Sequence, residues 1–230
     1  MRIVLYRPSI VVVLFVFLLQ TLIPVQMAFT QNAAATRSTF TVFSNSTPII
    51  LNTASGLTAP TMASNYPSTI NVSGMTGNTT KVEVSIKGVS HTMNQIDMLL
   101  VNPTGAKYVF LSDSTSPGGN DSFYTFSDSG TSVLNNTVSI SGTYLPTDIN
   151  SGTDTFPAPA PAAPYGTPPT ATFASVFNGA DPNGVWSLYA VDDFLGTPGF
   201  VVSGWSLNIT TNGAPQTFSN PNYFSFSDIV

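Results

Sequence analysis

The chain has 230 residues, 42% hydrophobic and only 7% charged, enough apolar content for one core of ordinary domain size. It contains no cysteine, which excludes disulfides and thiolate metal sites. Acids outnumber bases for a formal net charge of −5, so a polyanion such as DNA is repelled.

Residues 1–28 read as a secretory signal peptide. Arg2 and Arg7 form the basic end and Ile10–Leu19 the apolar run, which Gln20, Pro24 and Gln26 interrupt before it comfortably spans a bilayer. The expected location is extracellular or on the cell surface, with a membrane contact only through an uncleaved signal. Without that segment four basic residues face eleven acids, a net charge of −7. Residues 29–45 are rich in Ala, Thr and Ser and read as a flexible lead-in. A single domain is expected over 46–211, followed by a short tail, 212–230.

Strand signals then recur at short spacing. Val82, Val84 and Ile86 alternate with Glu83, Ser85 and Lys87, the pattern of a half-buried antiparallel strand. Ile96–Val101 is apolar apart from Asp97 and predicts a central strand. Asn102-Pro-Thr-Gly105 predicts a turn into a strand over Lys107–Leu111. Weaker strands are expected near Ile49, Ile70, Phe123–Phe126 and Val138. Residues 155–170 are Pro- and Ala-rich, a linker by composition alone.

Two later segments alternate most clearly. In Val185–Asp193, Trp186, Leu188 and Ala190 share a face; in Gly204–Thr210, Trp205, Leu207 and Ile209 do. Asp192, Asp193 and the Gly196, Pro198, Gly199 break between the two predict a hairpin with an acidic turn. Glu83 is the lone Glu among the acids, and no helical periodicity persists over three turns. The predicted fold is an all-β, antiparallel β-sandwich.

These residues also carry a resemblance. Asn183–Asp193 followed by Gly204-Trp-Ser-Leu207 resembles the end of a P domain (homo B domain), the galactose-binding-like jelly-roll sandwich found beside the catalytic domain of kexin- and furin-like (proprotein convertase) subtilisin proteases. Tyr66–Gly74 resembles its opening strand. Gly88-Val-Ser-His-Thr92 leading to Ile96–Gly105 resembles its central motif. Leu111-Ser-Asp113, Gly142–Pro146 and Asp154–Pro161 fit as well. The resemblance spans roughly residues 45–210. It implies a non-catalytic module with a structural or interaction role near a serine-type endopeptidase and proteolysis. It also implies that 155–170 is a long loop inside the domain.

The candidate chemistry is acidic. Asp97 sits in an apolar strand, where an unpaired carboxylate is costly to bury. Asp113 ends the next strand, Asp121 follows the Pro117-Gly-Gly turn, and Asp192 and Asp193 end a later strand. If these ends meet, their oxygens suit calcium, which takes six to eight oxygen ligands. The alternative is that each Asp caps its own turn. In the family that this chain resembles, an Asp-Asp pair precedes the strand of Asp97; here Asn94-Gln95 stands instead, which lowers the charge. Asp181 in Ala180-Asp-Pro-Asn-Gly184 reads as turn chemistry. His91 is the only histidine and no Gly-x-Ser-x-Gly elbow is present, so no catalytic residue is assigned and His91 reads as a strand-end residue. The expected partner is a protease or a cell-surface component. An adhesion or glycan-binding module is the competing reading.

Overall fold

The computed structural model describes residues 39–51, 60–89, 93–117, 119–135, 140–150, 152–194 and 200–213. The expected signal (1–28), the weak strand near Val138, His91, and the tail from residue 214 lie outside the described residues.

Two six-stranded sheets face each other, as the alternation predicts. The first runs β1 (Thr39–Asn45), β12 (Phe200–Thr211), β5 (Thr79–Val89), β8 (Gly119–Phe126), β9 (Gly142–Tyr144), with β2 (Ile49–Leu51) sharing the β12 edge with β1. The second runs β10 (Thr147–Asp148), β7 (Lys107–Ser112), β6 (Ile96–Val101), β11 (Gly184–Asp192), β3 (Thr61–Met62), with β4 (Ser68–Val72) also on β11. Most pairs are antiparallel; β8–β9 and β7–β10 are parallel.

The inner faces follow from period-2 alternation. Val82, Val84 and Ile86 of β5 and Trp205, Leu207 and Ile209 of β12 are buried against Met98 and Leu100 of β6 and Trp186, Leu188 and Ala190 of β11 in one apolar cluster. Each indole finds an acceptor: Trp186 Nε1 donates to the Pro182 carbonyl at 2.8 Å and Trp205 Nε1 to Ser68 Oγ at 2.9 Å. This satisfies the polar edge of a ring whose body fills the core.

Two expectations are corrected. The alternating segments of β11 and β12 do not form a hairpin, because they belong to opposite sheets. β11 pairs with β3, β4 and β6, and β12 with β1, β2 and β5. The lead-in expected over 29–45 ends early, since Thr39–Asn45 is strand β1, laid antiparallel on β12 from Thr39↔Thr211 to Asn45↔Trp205. Its Thr, Phe and Val content suits a strand, and the twelve-residue β12 offers it a ladder. A short helix, α1 (Phe173–Phe177), accords with the scarcity of helix that the composition implies. Its signal was local: Thr172 and Ser175 form a capping box, and Phe173 and Phe177 bury on one side.

Residues 155–170 do not hang free. Phe156 joins Leu99, Val109, Tyr189 and Val191 in a second apolar cluster, with Tyr66, Ala160 and Tyr165 packed against it. By alternation this is the outer face of β6, β7 and β11. Tyr66 Oη donates to the Pro157 carbonyl at 3.0 Å, and Gly166 bridges to Tyr108. The second sheet is thus covered on both faces, which explains why β6 reads as a nearly continuous apolar run.

Candidate functional site

One end of the second sheet collects carboxylates. Asp97 is the second residue of β6, Asp113 follows β7, and Asp193 follows β11. The register places Asp97 opposite Val191, so the ends of β6 and β11 lie side by side. A bulge between Met98 and Leu99 shifts the pairing with β7, and Asp113 then adopts φ +52. That left-handed conformation is uncommon outside glycine, and Asp is among the residues that tolerate it. Asp193 is fixed by its own N–H, which donates to the Gln95 carbonyl at 3.0 Å. The chain leaving β10 brings in Asp154. These four side chains, with Thr153 and Thr155, line a cavity of about 250 Å³.

Burial sets the electrostatics. Asp97 is 2% exposed, and its Oδ1 is buried without a hydrogen-bond partner. Asp154 Oδ2 is in the same state. Ser112, fully buried between them, donates to Asp154 Oδ1 at 3.0 Å and approaches Asp113 Oδ2 at 3.4 Å. Desolvation, followed by the neighbouring charges of Asp154, Asp193 and Asp113, pushes the Asp97 carboxyl up to about 8 despite the Ser112 hydroxyl. Asp154 is pushed up to about 6, by burial first and then by Asp148, Asp113 and Asp193, with Ser112 opposing. Asp113 and Asp193 move the same way, chiefly through partial burial. Among the described residues the ion pair is Lys81–Glu83, and no base answers these acids.

Of the five sequence candidates, three converge: Asp97, Asp113 and Asp193. Asp192 does not line the cavity. It sits opposite Ile96, on the inner face, where its Oδ1 accepts the Phe194 N–H at 3.0 Å. One residue's difference in a strand reverses the face, so adjacent carboxylates cannot both reach one side. The backbone of Asp121 belongs to β8 in the other sheet, and its side chain lies outside the described residues. Asp154 was missed, because a lone acid within a Pro-rich loop has no periodicity to locate it. Asp181 is turn chemistry, its Oδ1 accepting from Asn183 N and Nδ2 at 2.9 and 2.7 Å.

The donor set fits a hard cation in type: carboxylates, hydroxyls and backbone oxygens, with buried oxygens lacking partners. Among the described residues, however, no three acid, His or Cys side chains are spaced to hold a metal directly. An ion here would be completed by water and carbonyl oxygens, as calcium permits.

No family model and no curated protein matches the chain. Among solved structures it is similar to a serine protease of Aeromonas sobria, at 12% identity and a TM-score of 0.34, over 74% of this chain and 27% of that one. It is likewise similar to a chain from the complex of that protease with its chaperone, at 14% identity and a TM-score of 0.32, over 76% and 28%. The chain spans under a third of the length of these solved chains.

Proposed function

We propose that this chain is an exported, non-catalytic β-sandwich module. It takes up calcium in the cavity lined by Asp97, Asp113, Asp154 and Asp193, with water and carbonyl oxygens completing the shell, and serves as a structural or docking companion to a subtilisin-like protease. The observation that carries the calcium reading is Asp97: a carboxylate 2% exposed, with an unpartnered oxygen, on the wall of a cavity shared with three more acids. A buried negative charge without a partner is strongly unfavourable. A cation in the cavity would remove that penalty. The companion role rests on the resemblance of the Asn183–Asp193, Ile96–Gly105 and Tyr66–Gly74 motifs to the P domain.

Thermal melts in calcium and in chelator test the site. At 100 times the dissociation constant an ion adds about 2.7 kcal/mol. At roughly 2–4 °C per kcal/mol, the midpoint should rise by about 5–10 °C. Identical melts would remove calcium from the account.

A second reading, glycan binding, has its own observation. A groove on the first sheet is lined by Ser44, Ser46, Ser85, Ser203 and Ser206, with Lys87 Nζ 5.3 Å from the centroid of a half-exposed Phe123 ring. Hydroxyls beside an aromatic face suit a sugar. A glycan array on the wild type and Phe123→Ala separates the two readings: signal lost in the variant favours the groove, and a blank array discards it.

A further inference from the structure

The groove on the first sheet holds about 250 Å³, and strand register explains its chemistry. Two neighbouring rungs of the ladder supply it. In one, Ser44 faces Ser206, Ser206 faces Ser85, and Ser85 faces Thr125. In the next, Gly204 faces Lys87 and Lys87 faces Phe123. Residues two apart on a strand share a face and lie roughly 7 Å apart along it. A row of hydroxyls therefore runs beside a cation and an aromatic ring. Gly204 opens the floor between them. It adopts φ +155, and a Cβ there would meet the Asn45 carbonyl oxygen at 2.8 Å. Glycine thus lets β1 approach closely and leaves no side chain to fill the gap.

The charges are one-sided. Among the described residues Lys81 is paired with Glu83, and Lys107 donates to the Ala162 carbonyl. Lys87 is left with the Phe123 ring, 5.3 Å from its Nζ. No Asp or Glu lines the groove, in a chain whose formal net charge is −5. The groove is thus a local positive spot on an acidic molecule, and it complements an anion. The overall charge restricts which anion, because a densely charged polymer is repelled by the rest of the surface. A single negative group on an otherwise neutral ligand gains from Lys87 without that cost. Phe123, 49% exposed beside the ammonium, offers a face for the C–H side of a sugar ring. Ser85 Oγ is paired with Thr125 Oγ1 at 2.8 Å, whereas Ser44 and Ser46 are exposed and face the ligand's hydroxyls.

We infer, resting on the glycan reading of this groove, that it binds a glycan at an isolated acidic sugar, the carboxylate paired with the Lys87 ammonium and the ring laid on Phe123. Methyl glucuronide is the probe, and methyl glucoside is its neutral counterpart, with CH₂OH in place of the carboxylate. Each is titrated into the isotope-labelled full chain while backbone amide shifts are followed by NMR. Chelator is present, so that calcium cannot bridge the sugar to the acidic cavity. The expected result is saturable movement at Ser44, Ser85, Lys87 and Phe123. At low salt the glucuronide should bind about three- to fivefold tighter, the worth of one exposed ion pair. That preference should fade at about 0.5 M salt, as screening shortens the reach of the charge. Lys87→Gln should bring the glucuronide to the level of the glucoside, and Phe123→Ala should weaken both; both side chains are exposed, so the fold is not at stake. Equal binding of the two sugars in the groove would overturn the acidic-sugar assignment and leave the glycan reading standing. Retained preference in Lys87→Gln would overturn it in the same way. No saturable shift with either sugar would overturn both.

Discussion

Asp97 shows how one side chain couples burial to pH. Its carboxyl is protonated up to about 8 in the metal-free fold, against an ordinary 3.8 when unfolded. Between those values the folded state holds a proton that the unfolded state releases, so stability falls as pH rises through this window. Asp154, raised to about 6, acts in the same direction. Glu83 is buried enough to be raised, but Lys81 and Ser127 outweigh this and hold it low; its opposing effect lies below its ordinary 4.5. In chelator the midpoint of melting should therefore drop from pH 5 to pH 8, and calcium should flatten the drop; a midpoint that rises with pH in chelator would contradict the burial of Asp97. Asp97→Asn separates the two effects. At pH 8 it should raise the midpoint in chelator, because the buried charge is gone, and it should abolish the calcium-dependent rise.

The loop over 155–170 and helix α1 act as elements rather than as connections. Phe156 anchors the loop to the outer face of the second sheet, in a cluster with Leu99, Val109, Tyr189 and Val191. Phe156→Ala should cost about 3–5 kcal/mol, as truncation of a buried aromatic does. The exposed stretch beyond it should become the first site of limited proteolysis, read by mass spectrometry; unchanged cleavage kinetics would mean that the anchor is elsewhere. Asp128 closes the first turn of α1 with two hydrogen bonds. Asp128→Ala should lower stability by about 1–2 kcal/mol, the worth of a lost cap, measurable by urea denaturation. Element-level legibility was uneven for a physical reason. β5, β11 and β12 each carry enough residues for alternation to emerge, and β6 and β7 stood out as an apolar run and the strand after its turn. α1 is five residues long, less than two turns, so its only sequence mark was the Thr172–Ser175 box.

For the chain as a whole, the expectation that no catalysis resides here has a direct check. The purified protein should leave casein intact; hydrolysis that His91→Ala abolishes without loss of fold would make His91 part of an active site. The amino-acid sequence alone determined the class of fold, because one-sided burial of a strand is written in its alternation, and Trp186, Leu188, Trp205 and Leu207 all lie inside as that pattern requires. It also marked Asp97 as anomalous, since a carboxylate in an apolar run stands out locally. Tertiary structure alone decided that β11 and β12 sit in opposite sheets: a strand with one apolar face serves equally well beside its neighbour or across the core from it. It alone brought Asp154 to Asp97 and turned Asp192 away. Those outcomes depend on register, on a bulge and on the path of a distant loop, and such non-local geometry leaves no trace in the residues nearby.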